Sequence, residues 1–197
     1  MEKMIIGIDE AGRGPLAGPV SVGVACTIAD FDWGQIEGVH DSKKLTEVKR
    51  EAIYERAKEL QKMGILDFAV VMVSAKVIDE IGIVPSVNRA MEKALVRLSL
   101  VPGDCMIKLD GGLKAPQEYI HQETIIKGDA KEKVIGLASI VAKVTRDRYM
   151  VQQSDKAAFL PYNFAKHKGY GTKAHREVIK EIGLSEIHRV SFCRNLL

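Results

Sequence analysis

The first thirty residues contain two apolar runs separated by a turn, and this arrangement constrains the fold more than any other feature of the sequence. Residues 4–9 are apolar and end in an acid, and residues 19–29 are rich in β-branched side chains. Between them, residues 12–18 hold three glycines and a proline, which are typical of a turn. The pattern predicts a β-hairpin or short meander at the start of a sheet.

The rest of the chain alternates helical and strand patterns. Apolar residues recur at helical spacing over residues 46–63, before Gly64, and along a second helix that Ser86 would cap. Further helices are predicted from Asp129 and between Thr172 and Gly183, and strands at residues 66–73, 105–109 and 123–126. This order predicts one α/β domain over residues 1–197, in which a mixed sheet begins antiparallel and continues parallel. We expect a small helical appendage from about residue 150 onward.

Composition excludes several classes of protein. The chain has 197 residues, 46% hydrophobic and 28% charged, as globular proteins do. Its longest uncharged stretch, residues 14–29, is shorter than the ~18 residues of a membrane span and contains glycines and prolines. The N-terminus lacks the features of a signal peptide. We therefore expect a cytoplasmic protein with no membrane segment, in which the three separated cysteines are reduced: Cys26, Cys105 and Cys193.

Positive charge is concentrated in the second half of the chain. Residues 1–100 have 13 Lys and Arg against 15 Asp and Glu, whereas residues 101–197 have 16 against 11. Within that half, residues 166–176 contain four fixed positive charges, two histidines, no acid, and Tyr170 between two glycines. Such a segment could bind phosphates and pack an aromatic ring on a nucleotide, or it could be a solvated basic loop.

Four acidic residues follow predicted strands, where α/β sheets place their ligands. Asp9 and Glu10 end the first strand, and the later strands are followed by Asp110 and Asp129. Since adjacent strand residues face opposite ways, Asp9 and Glu10 share a site only if the chain leaves strand geometry at Glu10. Converging carboxylates repel unless cations hold them, and oxygen ligands suit Mg²⁺ or Mn²⁺. The pattern predicts a two-metal site for phosphoryl transfer.

Some of these features have structural alternatives. Asp129, three residues before Glu132, also fits a capping box at a helix start, and Asp110 before two glycines fits a plain turn. Residues 12–17 formally match the G-x-G-x-x-G/A dinucleotide fingerprint. However, they lead into a strand instead of a helix, which excludes a nicotinamide or flavin site. The glycines indicate instead a tight turn that approaches a ligand closely and aims Arg13.

Six motifs, taken in order, resemble ribonuclease HII, the type-2 ribonuclease H. They are GIDEAGRGPLAGPV at residues 7–20, DSKKL at 41–45, LDG at 109–111, KGD at 127–129, ASIVAKVTRDR at 138–148 and HKGYGT at 167–172. One motif alone would be weak evidence, but six in family order cover nearly the whole chain. The resemblance implies a ribonuclease H-like fold, and the short interval from Asp110 to Asp129 is bacterial-like.

The resemblance also implies an activity. Such an endoribonuclease hydrolyses the RNA strand of RNA/DNA hybrids and cuts 5′ of single ribonucleotides embedded in duplex DNA, leaving 3′-hydroxyl and 5′-phosphate ends. These reactions belong to ribonucleotide excision repair and DNA replication. By motif position, the catalytic residues that hold two Mg²⁺ or Mn²⁺ ions would be Asp9, Glu10, Asp110 and Asp129.

The same matching assigns the substrate contacts. The ribose 2′-hydroxyl, which both donates and accepts, would be sensed by Gly12, Arg13 and Gly14. Tyr170 would pack against the following deoxyribose. Lys43, Lys44 and Lys143 would bind phosphates or organise the site, and Lys168 would also contact the substrate. The matched helix motif contains Ser139, Arg146 and Asp147, which would orient the site or the helix itself.

Two departures and several alternatives stay open at this stage. The related ribonuclease HIII family typically has Gly-Lys-Gly and a glutamate as fourth acid, so Arg13 and Asp129 favour type HII. Asn163 stands where the resemblance leads us to expect Gly, and residues 192–197 contain no recognisable sliding-clamp motif. We expect a monomer that acts on nucleic acid. The alternatives are a non-catalytic RNA/DNA-hybrid-binding protein on the same fold and, less favoured by the Gly-Arg-Gly motif, a nuclease acting on DNA alone.

Overall fold

The computed structural model describes residues 4–39 and 44–196, which form a five-stranded sheet with helices on both faces. The strands are β1 (Met4–Ala11), β2 (Val20–Ile28), β3 (Asp67–Val73), β4 (Cys105–Asp110) and β5 (Gln122–Ile125). Their order is β3-β2-β1-β4-β5, with β1 and β3 antiparallel to β2 and with β4 parallel to both β1 and β5. The predicted mixed α/β sheet with an antiparallel start is confirmed.

The helices follow the predicted segments with two differences in position. They are α1 (Glu47–Lys62), α2 (Ala75–Ile81), α3 (Ile83–Arg97), α4 (Gly128–Lys131), α5 (Lys133–Ser154), α6 (Phe164–His167), α7 (Lys173–Ile182) and α8 (Val190–Cys193). The first difference is at α2 and α3. Helix α2 was not predicted, and Ser86 lies inside α3 instead of capping it. The Ser86 hydroxyl donates to the carbonyl of Gly82 at 2.7 Å.

The second difference concerns the long helix, which begins at Lys133 and not at Asp129. Glu132 has an extended backbone and separates α4 from α5. Its carboxylate accepts a 2.8 Å hydrogen bond from Lys108 Nζ on β4. No side-chain capping bond closes the start of either helix. The capping-box alternative for Asp129 is therefore wrong.

Apolar side chains fill both faces of the sheet. Helices α2 and α3 cover one face, with Met91 and Leu95 packed on residues such as Ile8. Helices α1 and α5 cover the other face, where Leu60 and Val141 are buried. A third cluster, around Met150, Phe159, Phe164 and Ile179, joins the end of α5 to the C-terminal helices. No helix among the described residues is long and apolar enough to cross a membrane, and the three cysteines are buried thiols.

Candidate active site

A cavity of about 480 Å³ opens at the edge of the sheet where β1 and β4 end. These strands are parallel neighbours in which Ile8 pairs with Leu109, so the residues that follow them, Asp9 and Asp110, lie at the same edge. The cavity is lined by Asp9, Glu10, Ala11, Gly12, Arg13, Gly14, Arg50, Asp110, Ser139, Lys143 and Tyr170. Three of the four predicted carboxylates and most predicted substrate contacts thus share one cavity.

Asp9 is the most strongly perturbed acid of the site. It is almost fully buried, and this burial, opposed by a hydrogen bond from Ser139 and reinforced by the negative charges of Glu10 and Asp110, raises its pKa to about 8. Its Oδ1 also accepts a 2.7 Å hydrogen bond from the backbone amide of Glu10. A group whose ionised form is disfavoured in this way needs a positive partner to carry its charge at neutral pH.

Glu10 reaches the cavity without leaving strand geometry, which corrects the expected departure at this residue. It pairs with Val22 across the sheet, and the strand ends one residue later at Ala11. Its carboxylate contacts the Arg13 guanidinium at 3.0 Å. The turn that follows the strand, and not an early end of the strand, therefore orients this acid.

Asp110 and Asp129 are held differently. Asp110 Oδ1 accepts a 2.6 Å hydrogen bond from the amide of Gly128, which ties the end of β4 to the start of α4. Asp129 is only 3% exposed and does not line the cavity. Within the part of the chain that the structure describes, no three His, Cys, Asp or Glu side chains stand as a ready-made metal-binding group.

Two buried arginines, Arg189 and Arg146, pack against the Gly-Arg-Gly turn. Arg189 donates to the carbonyls of Gly12 at 2.6 Å, Arg13 at 2.9 Å and Gly18 at 3.0 Å. Gly12 has a φ of +85°, and a Cβ atom there would lie 2.0 Å from Nε of the other arginine, Arg146. Only glycine fits this position, because both the backbone conformation and the space exclude a side chain.

Arg146 connects this turn to the segment that contains Tyr170. Its guanidinium donates to the carbonyls of Pro19 at 2.8 Å, Ala17 at 3.1 Å and Lys168 at 2.9 Å. Both arginines are fully buried, and the hydrogen bonds described for their guanidinium groups all go to main-chain carbonyls. Burial lowers the pKa of both, and the neighbouring Arg146 contributes to lowering that of Arg189 to about 9.

Helix α5 presents two further residues to the cavity. Ser139 hydrogen-bonds to Asp9, and Lys143 lies one helical turn further along. The Lys143 ammonium contacts Asp147 Oδ1 at 2.7 Å and lies 5.6 Å from the ring centroid of Tyr170. Tyr170 is 41% exposed and lines the cavity, so a ligand there could contact it.

The remaining lysines behave differently from the prediction. Lys168 does not line the cavity, since its Nζ donates to the carbonyl of Ala165 at 2.5 Å and lies 3.6 Å from Glu47. Lys44 is exposed and is also not a lining residue, and Lys43 lies outside the described residues. Conversely, Arg50 on α1 lines the cavity although sequence reasoning did not select it. Nothing in its sequence context separates it from the other basic residues of α1.

Comparison with known proteins identifies the family. The model of the ribonuclease HII family matches residues 6–195. The chain belongs to the ribonuclease HII family. Ribonuclease HII of the bacterium Caldicellulosiruptor bescii is 49% identical over 195 residues, which are 99% of this chain and 89% of that protein.

Solved structures agree with this assignment. Ribonuclease H2 from Pyrococcus horikoshii OT3 has a TM-score of 0.67 and 30% identity, over 98% of this chain and 96% of its own. Ribonuclease HII from Archaeoglobus fulgidus, solved in complex with PCNA, has a TM-score of 0.73 and 28% identity, over 94% and 93%. The ribonuclease HII family member described here is thus an endoribonuclease with the ribonuclease H-like fold, acting on RNA/DNA hybrids. The expected fold and enzyme class are confirmed.

Proposed function

We propose that this ribonuclease HII is a divalent-metal-dependent endonuclease that cuts 5′ of single ribonucleotides embedded in duplex DNA, as well as within RNA/DNA hybrids. It leaves 3′-hydroxyl and 5′-phosphate ends and acts in ribonucleotide excision repair and DNA replication. The supporting observation is that the acidic ends of β1 and β4 share one cavity with the Gly-Arg-Gly turn. A cleavage centre and a sensor of the ribose then face the same nucleotide.

The chemistry of the donor set supports metal dependence. Mg²⁺ and Mn²⁺ prefer carboxylate oxygens, and a cation beside Asp9 would reverse the electrostatics that raise its pKa to about 8. We assign the metal-holding role to Asp9, Glu10, Asp110 and Asp129. When bound, two such ions polarise the phosphate, generate the nucleophile from water and stabilise the leaving oxygen. A cation would compete with Arg13 for Glu10 and with the Gly128 amide for Asp110.

The residues on the other side of the cavity would select the substrate. The carbonyls of Gly12 and Arg13 are bound by Arg189, so the turn presents its opposite side to the ligand, where a 2′-hydroxyl could donate and accept. Tyr170 would pack on the deoxyribose that follows the ribonucleotide. Lys143 and Arg50 line the same cavity and would bind flanking phosphates.

The non-catalytic alternative has less support. A protein that only binds hybrids has no need for three converging carboxylates, one of which, Asp9, is disfavoured in its ionised form by burial and by the charges of the other two. Membership of an endoribonuclease family also argues against it.

An end-labelled duplex DNA with one ribonucleotide tests the proposal directly. We expect one cut on the 5′ side of the ribonucleotide in Mg²⁺ or Mn²⁺, no cut in EDTA, and no cut in the matched all-DNA duplex. Cleavage without a divalent ion would contradict the metal assignment. Cleavage of the all-DNA duplex would contradict the assignment of the Gly-Arg-Gly turn as the ribose sensor.

A further inference from the structure

Three histidines lie behind the segment that contains Tyr170, and hydrogen bonds link two of them into a chain. The amide of Ser185 donates to His188 Nδ1 at 2.9 Å. The Nε2 atoms of His188 and His175 are 3.0 Å apart. His175 Nδ1 lies 2.9 Å from the carbonyl oxygen of Tyr170. The chain therefore runs from the C-terminal segment through α7 to the main chain of Tyr170.

The partners of this chain assign the proton on each ring. Since His188 Nδ1 accepts from an amide, its Nε2 carries the hydrogen and donates to His175 Nε2. His175 Nδ1 then carries the hydrogen that is donated to Tyr170. Both rings are buried and neutral, because an additional proton would place two N–H groups of His175 and His188 face to face. At His175 this burial contradicts the alternative that residues 166–176 form a solvated basic loop.

The third histidine completes the support. His167 stacks on His175 with ring centroids 4.2 Å apart. Its Nε2 lies 2.7 Å from the Tyr162 carbonyl, so it donates there, and its Nδ1 accepts from the amide of Gly169 at 3.2 Å. Gly169 has a φ of +85°, and a Cβ atom there would lie 2.3 Å from the carbonyl oxygen of Ala17. The Tyr170 segment thus packs directly against Ala17, in the loop that follows the Gly-Arg-Gly turn.

His188 belongs to the same short segment as Arg189. The amide of Gly18 donates to Ile187 at 2.8 Å, and the amide of Arg189 donates to Leu16 at 2.8 Å, which pairs this segment with the loop before β2. Neighbouring residues of an extended segment point in opposite directions. Accordingly, Arg189 points to the carbonyls of the Gly-Arg-Gly turn, and His188 points to α7.

We propose that His175 and His188 are positioning residues for Tyr170, and that they set its place relative to the Gly-Arg-Gly turn. Through the bond to the Tyr170 carbonyl, the chain fixes where the ring meets the deoxyribose. Because His188 precedes Arg189 in the same segment, the chain also fixes the position of Tyr170 relative to the Gly-Arg-Gly turn, the proposed ribose sensor. The proposal rests on the role given to Tyr170 under the proposed function.

Two substitutions of His175 separate positioning from packing. Asn places its amide nitrogen near the position of Nδ1 and keeps the donor to Tyr170, whereas Gln reaches the position of Nε2 and keeps only the acceptor for His188. The measured quantity is the ratio of kcat/KM for a single embedded ribonucleotide to that for a long RNA/DNA hybrid, with the full chain. We expect His175→Gln, which loses the bond to Tyr170, to lower the ratio by about tenfold, and His175→Asn, which keeps that bond but loses the link to His188, to lower it by only about threefold. Equal ratios for the two variants would overturn the proposal.

Tyr170→Ala distinguishes failure of this proposal from failure of the function on which it rests. If Tyr170→Ala lowers the ratio and His175→Gln does not, the role of Tyr170 stands and positioning by histidine is wrong. If Tyr170→Ala leaves the ratio unchanged, the role of Tyr170 is wrong and the positioning proposal falls with it.

The protonation of each ring can also be measured on the unmodified protein, and this test does not depend on whether the variants fold. Imidazole nitrogen chemical shifts report which ring nitrogen carries the proton. We expect the Nδ1–H form for His175 and the Nε2–H form for His188. The opposite form at either ring would remove the hydrogen bond to Tyr170 or the link between the rings, and would overturn the proposal.

Discussion

The two sides of the cavity are built on opposite electrostatic principles. On the acidic side, Asp9, Glu10 and Asp110 come together at the ends of two strands, and burial together with the neighbouring negative charges raises the pKa of Asp9 to about 8. On the recognition side, the buried charges are the cations of Arg146 and Arg189, and each is surrounded by main-chain carbonyls. On the acidic side, ionisation of the buried Asp9 is therefore unfavourable, whereas on the recognition side the buried guanidinium groups are stabilised by the carbonyls to which they donate.

This difference predicts that substitutions on the acidic side mainly affect activity, whereas substitutions on the recognition side mainly affect stability. Removing the carboxylate of Asp9 relieves the cost of burying its charge beside other acids and removes a ligand for a cation, so it should stabilise the fold and abolish the reaction. Removing a buried arginine leaves carbonyls without donors, so it should destabilise the fold first. Active sites commonly store unfavourable interactions in this manner, and the recognition side supplies the rigidity that tolerates them.

Asp9→Asn is expected to have the largest effect on activity. An uncharged isostere removes a carboxylate ligand, and cleavage should fall by at least about 10³-fold while hybrid binding stays within a few-fold. The folded pKa of about 8 lies above the usual 3.8, so ionisation of Asp9 costs stability increasingly as pH rises from 3.8 to 8. The variant should therefore melt at a higher temperature than the parent without divalent metal, with the larger gain at pH 8. Cleavage assays and thermal melts check both statements.

Glu123→Gln, an exposed acid on β5, is the matched control for this change. It should leave cleavage and melting temperature near those of the parent. Substantial metal-dependent cleavage by Asp9→Asn would refute the role of Asp9, and a lower melting temperature would refute the account of its electrostatics.

Arg189→Met tests the other side. The carbonyls of Gly12, Arg13 and Gly18 lose their donor, and we expect the free energy of unfolding to fall by about 3 kcal/mol, or about 6–12 °C in Tm. Arg176→Met, on the exposed side of α7, removes the same charge without buried partners and should change Tm little. If both variants melt alike, the carbonyl contacts of Arg189 do not hold the turn.

The acidic side was predictable from sequence because its signals are local. Strand patterns place Asp9 and Asp110 at strand ends, and the parallel pairing of β1 with β4 brings them to one edge. The glycines at residues 12 and 14 predict a tight turn for the same reason. Local rules also explain Asn163, which stands where Gly was expected. Its φ of +55° is a left-handed conformation that Asn tolerates.

The recognition side was less predictable because its contacts connect residues far apart in the chain. Arg189 contacts Gly12, 177 residues away, and no periodic pattern identifies such a pair. His175 looked like part of a basic surface segment, yet it is buried against His188. Boundaries near irregular backbone also failed, as at Glu132, where a salt bridge with Lys108 replaces the expected capping contact. Tertiary contacts determine these features, and the neighbouring residues in the sequence carry no signal of those contacts.

The buried histidines predict a dependence of stability on pH. Burial lowers the pKa of His175 and His188 to about 4, with a further contribution from the nearby His167. Because the unfolded chain binds these protons near pH 6.5 and the folded chain does not, stability should fall as pH decreases from about 6.5 to 4. Asp9 titrates in the opposite sense, so the informative quantity is the difference between parent and variant. Thermal melts of His188→Gln against pH should give a shallower decline than the parent.

The exposed His121 provides a control for loss of an imidazole. His121→Gln should follow the parent curve more closely than His188→Gln does. An identical pH dependence in His188→Gln and the parent would mean that His188 is not a buried neutral group. The positive charges beside the cluster, on Lys166, Lys168 and Arg189, are unchanged in both variants.

The smallest effect concerns the exposed lysines around the Tyr170 segment. The Lys168 ammonium donates to the carbonyl of Ala165. The salt-dependent part of nucleic-acid binding should therefore come from Lys166 and Lys173, which are exposed. Each lost phosphate contact lowers the slope of log K against log salt by about 0.9, and changing both lysines to Gln should lower it by about 1.8 for all duplexes alike.

A matched pair of exposed lysines, Lys76 and Lys93, lies on α2 and α3, which cover the face of the sheet opposite α5. Changing these two to Gln alters the net charge equally and should leave the slope nearly unchanged, because screened charges far from the ligand release few counterions. If the two pairs lower the slope equally, attraction to nucleic acid is a property of the whole surface. In that case the cavity alone, through Arg13, Lys143 and Tyr170, would have to fix where the duplex binds.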